Sequence, residues 1–389
     1  MPKVLLVISA TLANVSPTGP RKDYCVLADK LEAEVIDYAS VQESLSARAV
    51  KRVLGMAAAQ AWLAFRRRND VEAILTDGEH IGIPLALLLK LVNARTAHVT
   101  IGHRITAAKK RPFFRFLRVQ SHISRIALHA RSQFELGTRD LSIEQRKLAL
   151  VPYQVDTEFW RPQAAAEERL ICSAGLEFRD YPTLMAAVEG LDAKVVIGAA
   201  SHWSKRRNTA DGGGQPSNVT VDSFDYDALR SLYARSAIVV VPLDDTDFQA
   251  GVTTILEAMS MSKPVVVTHS VGQTDVVEDR RTITRGAQPR TRPSSLLRAV
   301  AEQAGVALEP SGFYVPPSDP QALRRAIAYL LEHPEERARL GAAGRRTVEQ
   351  LTTVDQYAAR LRELVDAAIA EAPPRRIAHR GVPVVASAE

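Results

Sequence analysis

The feature that most constrains this chain is a repeated alternation of short, continuous apolar runs with longer segments of helical periodicity. KVLLVIS, EVIDY, AILTD, AHVTI, RIALHA and LALVP come first, and LICSAG, KVVIGA, NVTVD, AIVVVP and PVVVT follow. Apolar runs of this length, rich in β-branched residues and without polar alternation, read as strands buried on both faces. Stretches such as ARAVKRVLGMAAAQAWLAFRRR lie between them, with apolar residues at helical spacing. Strand and helix in strict alternation imply parallel sheets covered by helices. The pattern breaks once, at the proline-bounded segment VPYQVDTEFWRP, and then restarts. The economical reading is an α/β chain of two tandem Rossmann-like domains facing each other across a cleft.

On this reading residues 1–155 form the first domain and 156–352 the second, followed by a crossover helix at 353–371 and a loose tail at 372–389. SDPQALRRAIAYLLEHPEERARLGAAGRRTVEQ and TVDQYAARLRELVDAAIAEA are strongly amphipathic, and Ser318 or Asp319 is the expected N-cap of the first. A length of 389 residues suits two cores rather than one. The formal net charge of +6 favours acidic partners such as phosphates, nucleotides or anionic lipid, without choosing among them. Cys25 and Cys172 lie far apart in apolar surroundings and read as buried thiols in a reducing compartment. KVLLVIS is taken as a first strand rather than as part of a signal peptide, and no apolar run reaches the ~18 residues of a membrane span. A cytoplasmic protein, peripheral at most to a membrane, is expected.

Ligands of open parallel sheets sit beyond the carboxyl ends of the strands. One such place stands out in FQAGVTTILEAMSMSKPVVVT. Gly251 permits close backbone approach, the amides of Gly251, Val252 and Thr253 open a helix whose N-terminus favours anions, and Glu257 is the one acid on an apolar helix. A carboxylate accepts hydrogen bonds only, so Glu257 can grip two neighbouring hydroxyls.

YDALRSLYARSAIVVVPL, the platform segment, VGQTDVVED and GFYVPPSDPQALRRAIAYLLEHPEERARLGAAGRRTVEQ together resemble the donor domain of retaining GT-B glycosyltransferases of the family-four type, the glycosyl transferases group 1. VPYQVDTEFWRP is similar to the interdomain signature of that family. The resemblance covers most of residues 148–365, whereas residues 1–147 match only in general pattern. It implies a nucleotide diphosphate sugar held mainly by the second domain and transferred to a hydroxyl acceptor with retention, by front-side substitution and without metal or other cofactor. Two glutamates seven residues apart bracket the family's platform; here Glu257 is the second and would bind ribose, while Gln249 takes the first position, hydrogen-bonding the sugar without charge. Of the family's diphosphate-binding Arg and Lys, Arg179 occupies what looks like the Lys position, and Ser173 or Ala174 falls where the Arg belongs. Lys205, with Arg206 and Arg207, can supply the second charge or merely be a solvated run.

In the first domain, His103 follows AHVTIG and resembles the family's cleft histidine, with His80 as the second candidate. Gly19, with Arg21 facing phosphate, stands in for the glycine loop after the first strand. Asp245 and Asp247 spell an Asp-x-Asp, but that metal motif belongs to a one-sheet glycosyltransferase fold, so hydrogen bonding near the platform is expected of them. The insertion at 280–311 is either a cleft-edge element or a surface addition. Two rivals remain: a nucleotide-sugar 2-epimerase of the same fold, or a basic membrane- or nucleic-acid-binding protein. KKRPFFRFLRVQSHISR serves the second rival as a lipid-contacting segment, although a core-facing helix is the preferred reading; no nucleic acid partner is expected.

Overall fold

The computed structural model describes residues 3–199, 215–279 and 296–373. Its first sheet contains β1 Val4–Val7, β2 Glu34–Ile36, β3 Ala73–Thr76, β4 Ala97–Gly102, β5 Arg125–Leu128 and β6 Leu148–Leu150. Its second contains β7 Leu170–Ala174, β8 Lys194–Gly198, β9 Val219–Asp222, β10 Ile238–Val241, β11 Val265–Thr268 and β12 Gly312–Val315. The pairings are parallel throughout, in the orders β2-β1-β3-β4-β5-β6 and β12-β11-β10-β7-β8-β9. Every expected strand is present, and GFYV adds a further one, β12, that the sequence pattern does not announce.

Alternate residues of a strand serve opposite faces of its sheet. In β1, Val4 and Leu6 join one core, while Leu5 and Val7 join another. The second sheet does the same, with Val239 and Val241 on one face and Ile238 and Val240 on the other. Burial on both faces is why these runs show no polar alternation. The long helical stretches are divided by local chemistry. ARAVKRVLGMAAAQAWLAFRRR breaks at Gly55, whose φ of 87° suits glycine, and the amphipathic run after Asp319 becomes two helices, Pro320–Glu332 and Pro334–Leu351, because Pro334 starts afresh. Asp319 is the N-cap, its side chain accepting from the Ala322 amide.

The domains are joined where the chain crosses twice. Val155 N–H donates to Thr352 O at 2.9 Å, and Val354 N–H returns to Val155 O at 3.2 Å. Beyond that point the last helix, Val354–Ala370, lays Tyr357, Leu361 and Val365 into the core of the first domain. Arg21 clamps the same seam: its backbone N–H and Nε donate to Asp156 at 2.8 and 3.2 Å, and its outer nitrogens reach Asp355. Asp156 is 4% exposed, whereas the Asp355 side chain is 62% exposed. Asp156 also accepts from the Arg21 and Glu158 backbone amides, so its loss strands donors at the seam, while an exposed ion pair contributes little. Urea unfolding should therefore show Asp156→Ala losing about 2 kcal/mol of stability and Asp355→Ala less than about 1 kcal/mol; equal losses would contradict this account of the seam.

Candidate functional site

The strand order places a switch point in each sheet, where successive crossovers leave in opposite directions and open a crevice at the carboxyl ends. It falls between β1 and β3 in the first domain and between β7 and β10 in the second. The loop after β7 carries Arg179, and the loop after β10 carries Gln249 and Gly251 into the helix Val252–Ser260, here called the platform helix. Gly251 is its N-cap, with φ 75° and no side chain to cap the helix. A Cβ there would meet Val241 at 2.8 Å and Arg179 at 3.2 Å, so glycine is required twice over, by conformation and by space. Val252 is buried and Thr253 exposed at the first turn. The uncapped amides give the platform an anion-binding end.

Arg179 lies beneath that end. Its Nε donates to Ala174 O at 2.8 Å, one terminal nitrogen donates to Glu177 O at 2.8 Å, and the other donates to Thr254 Oγ1 at 3.0 Å. It is 4% exposed, and burial lowers its pKa. The guanidinium thus ties the loop after β7 to the platform helix and supports the helix N-terminus from within.

Glu257, one turn further along, is 8% exposed and far from the solvated state that an amphipathic surface helix would give it. Tyr233 Oη donates to its Oε2 at 3.2 Å. Burial pushes this carboxyl up to about 8, against the opposing pull of the Tyr233 hydroxyl, Lys22 and Arg179. Lys22 comes from the first domain, donates to Tyr226 Oη at 2.9 Å and sits over that ring. Gln249 is 9% exposed, and its amide oxygen has no hydrogen-bond partner among the described residues. An orphaned buried acceptor is costly and calls for a donor.

Across the cleft, His103 follows β4. Its Nε2–H donates to Asp77 O at 3.1 Å, and its backbone N–H donates to Glu79 at 3.0 Å. Glu79 also accepts from the Arg104 amide and pairs with Lys110; burial opposes its charge, yet His103, Lys110 and that amide hold its pKa down at about 2. His80 Nε2 lies 2.8 Å from Ser9 Oγ, and burial lowers its pKa. Three cleft residues were not singled out from the sequence. Asp77, at the end of β3, accepts from the Ser9 amide at 3.0 Å, and burial together with Asp23 raises its pKa to about 7. His129 donates from Nδ1 to Val151 O at 2.9 Å, burial drives its pKa down to about 3, and its Nε2 has no partner among the described residues. Tyr153 packs edge-on against His129 with ring centroids 4.9 Å apart. Asp77 directly follows β3 and His129 directly follows β5, so position after a strand was the available signal.

Other expected residues go elsewhere. Gly19 packs on the second domain, where a Cβ would lie 3.3 Å from the Tyr226 ring, and Arg21 is committed to Asp156 and Asp355 rather than facing a phosphate. Asp245 accepts from the Val271 amide at 3.1 Å, while Asp247 turns to the first domain, accepting from Thr106 Oγ1 at 2.7 Å and pairing with Arg104 at 2.8 Å. The two acids of the Asp-x-Asp therefore part company. Lys205, Arg206 and Arg207 lie outside the described residues, as do positions 280–295 of the insertion; its remainder contains the helix Leu296–Ala304.

Residues 178–333 match the family model for glycosyl transferases group 1, a stretch that runs from the Arg179 loop through the platform to the helix after β12. That stretch makes the second domain a glycosyltransferase domain. No curated protein matches the sequence. Among solved structures, Anabaena HepE in complex with UDP superposes with a TM-score of 0.65 at 14% identity, covering 94% of this chain and 100% of that one. Sucrose-phosphate synthase from Thermosynechococcus elongatus gives 0.64 at 15% identity over 95% and 99% of the two chains. A UDP-forming α,α-trehalose-phosphate synthase from Burkholderia vietnamiensis gives 0.60 at 10% identity over 95% and 98%. The shared architecture is the two-domain GT-B fold.

The Glu257 carboxyl generates a pH prediction. Its folded pKa of about 8 lies above the ordinary 4.5, so the folded state holds a proton that the unfolded chain releases between those values. Its contribution to stability is complete below pH 4.5 and is lost as pH rises towards 8. Glu257→Gln, which is neutral throughout, should match the wild type near pH 5 and become more stable than it by a few kcal/mol at pH 8.5 in thermal unfolding. A constant difference across that range would mean the carboxyl is ionised in the fold.

Proposed function

With a group 1 glycosyltransferase domain as its second half, we propose that this chain moves a sugar from a nucleotide diphosphate sugar to a hydroxyl acceptor with retention of configuration. The observation that carries the reading is the pairing, on one nine-residue helix, of an uncapped N-terminus with the buried carboxyl of Glu257. The first suits a diphosphate and the second suits the two hydroxyls of a ribose. Gln249 supplies its unpartnered amide oxygen to a hydroxyl of the donor sugar, and its lack of charge distinguishes this donor site from one with a glutamate there. UDP and UDP-glucose occupy the neighbour HepE, which supports a nucleotide sugar as the class of donor.

In the reaction, the acceptor oxygen attacks the anomeric carbon from the face that the diphosphate leaves. The carbon–oxygen bond to the phosphate breaks, an oxygen of the departing diphosphate takes the acceptor's proton, and the nucleoside diphosphate departs. The protein contributes position and charge: the platform amides, braced by Arg179, meet the negative charge developing on the leaving group, and closure between domains excludes water. His103, presenting Nδ1 from the first domain, orients a hydroxyl near the transfer point. No metal is assigned a role, and the acceptor is a small molecule, a glycan or a lipid-linked compound. Two free thiols and a nucleotide sugar donor favour a cytoplasmic setting.

Titration calorimetry with uridine, guanosine and adenosine diphosphates, in buffer without divalent metal, tests this reading. The wild type should bind one of the three, and Glu257→Ala, checked for an unchanged fold by circular dichroism, should bind it at least about tenfold more weakly, as expected for two lost hydrogen bonds. A folded wild type that binds none of them would remove the proposal.

A further inference from the structure

Exposed large apolar side chains are concentrated in the first domain: Leu45, Val53, Leu54, Leu91, Val92, Phe116 and Leu117 all stand out to solvent. Four of them lie on two segments that one lysine ties together. Lys90, near the end of the helix Glu79–Leu91, donates from Nζ to Leu117 O at 2.5 Å, fastening the helix end to the loop that follows the short helix Arg111–Arg115. Leu91 and Val92 follow Lys90 directly, and Phe116 and Leu117 lie on the loop that it holds, with exposures of 74%, 52%, 79% and 44%. The expected core-facing helix is present only in part. Phe114 is buried at 1%, but the helix stops at Arg115 and the next two apolar residues turn outward.

Along the chain the charge on either side of these residues is one-sided. From His80 to Phe134 the sequence contains ten Lys and Arg residues and no Asp or Glu. Some of these cations are engaged, such as Arg104 with Asp247 and Arg125 with Glu371. Arg115 and Arg118, which flank Phe116 and Leu117, are exposed and make no direct ion pair among the described residues, with the Asp140 carboxylate of the following helix as the nearby acid that feels the Arg115 charge. An apolar knob ringed by cations is expensive to leave in water and repels a like surface. Such a combination is complementary to an anionic lipid surface, whose headgroups meet the guanidinium groups while the apolar tips enter the interface. A nucleic acid would satisfy the cations but has no use for Leu91, Val92 and Leu117, which neither stack on bases nor contact phosphate.

We propose that Leu91, Val92, Phe116 and Leu117, framed by Arg115 and Arg118, form a docking surface for anionic membrane lipid. The surface lies outside the donor site, so the inference is independent of the sugar nucleotide. Docking there seats the first domain on the bilayer by interfacial contact alone; no helix among the described residues is long and apolar enough to cross a membrane.

Sedimentation of the full chain with vesicles provides the test. The wild type should bind vesicles of equimolar phosphatidylglycerol and phosphatidylcholine, lose that binding as salt is raised, and ignore phosphatidylcholine alone. Leu91→Ser with Phe116→Ser, and separately Arg115→Glu with Arg118→Glu, should each weaken binding about tenfold or more, with thermal unfolding unchanged because these side chains are exposed. Failure of the wild type to bind anionic vesicles, equal binding to neutral ones, or full binding by both variants would overturn the proposal. So would binding of a single-stranded oligonucleotide that survives the serine pair and is lost with the glutamate pair, in the absence of vesicle binding.

Discussion

The structure depends on a seam where two stretches of chain lie side by side, Val155 against Thr352 and Val354. Neither domain is complete without it. The first domain borrows Tyr357, Leu361 and Val365 from the carboxyl-terminal helix for its core, and the second begins directly beyond the first crossing. Arg21, in the loop after β1, holds both crossings through Asp156 and Asp355, so the element that opens the first switch point also fixes the hinge. The facing of the two crevices follows from this arrangement, because each sheet is rigid and its carboxyl ends can meet the other's only if the crossings hold their angle.

Within the cleft, several groups are kept in states that a fold optimised for stability alone would avoid. Glu257 is buried with a hydroxyl rather than a cation as its printed hydrogen-bond donor, the Gln249 amide oxygen and His129 Nε2 lack partners among the described residues, and the platform helix has no side-chain cap. Each departure costs stability, and they converge on the two switch points. The first-domain side has a different character. Glu79 is deeply ionised and locks the backbone after β4 by accepting from two successive amides, while Asp77, a short distance away, is held near neutrality in the titration sense by burial and Asp23. One carboxyl is structural and the other retains the capacity to exchange a proton.

Most of the architecture was legible because both faces of the sheets are buried, which turns each strand into an uninterrupted apolar word such as VLLV or VVVT. Where that signal was diluted, the reading thinned. GFYV carries a glycine and two aromatics, and it becomes a strand only through pairing with β11. The platform was readable because its chemistry is local, with glycine, helix start and acid inside one segment. Arg21, Asp77 and His129 were placed poorly or not at all, since their roles depend on partners such as Asp156, Ser9 and Val151, supplied by other strands or the other domain. The outward turn of Phe116 was likewise invisible: KKRPFFRFLRVQ has the composition of a longer amphipathic helix, and the early stop at Arg115 is a tertiary outcome.

The loop that leads into the platform is also the place where the domains touch. Asp247 receives Thr106 and Arg104 on its carboxylate and Ser132 and Gln133 on its backbone oxygen. Arg104 at the same time lies over the Phe248 ring, which packs edge-on against Phe178 beside Arg179. The far side of the loop has no slack, since a Cβ on Gly272 would lie 2.2 Å from Phe248 O. Residues 247–251 are therefore held between the first domain and the segment after β11, with Gln249 and Gly251 only two and four positions beyond the Asp247 contact. A rotation of one domain against the other must either break the Asp247 contacts or carry the loop with it. Because packed contacts of this kind are bistable rather than continuously deformable, the position of His103, adjacent to Arg104, and that of the platform amides change together. Donor and acceptor sides are thus coupled through a few residues whose acids the sequence offered as a metal motif.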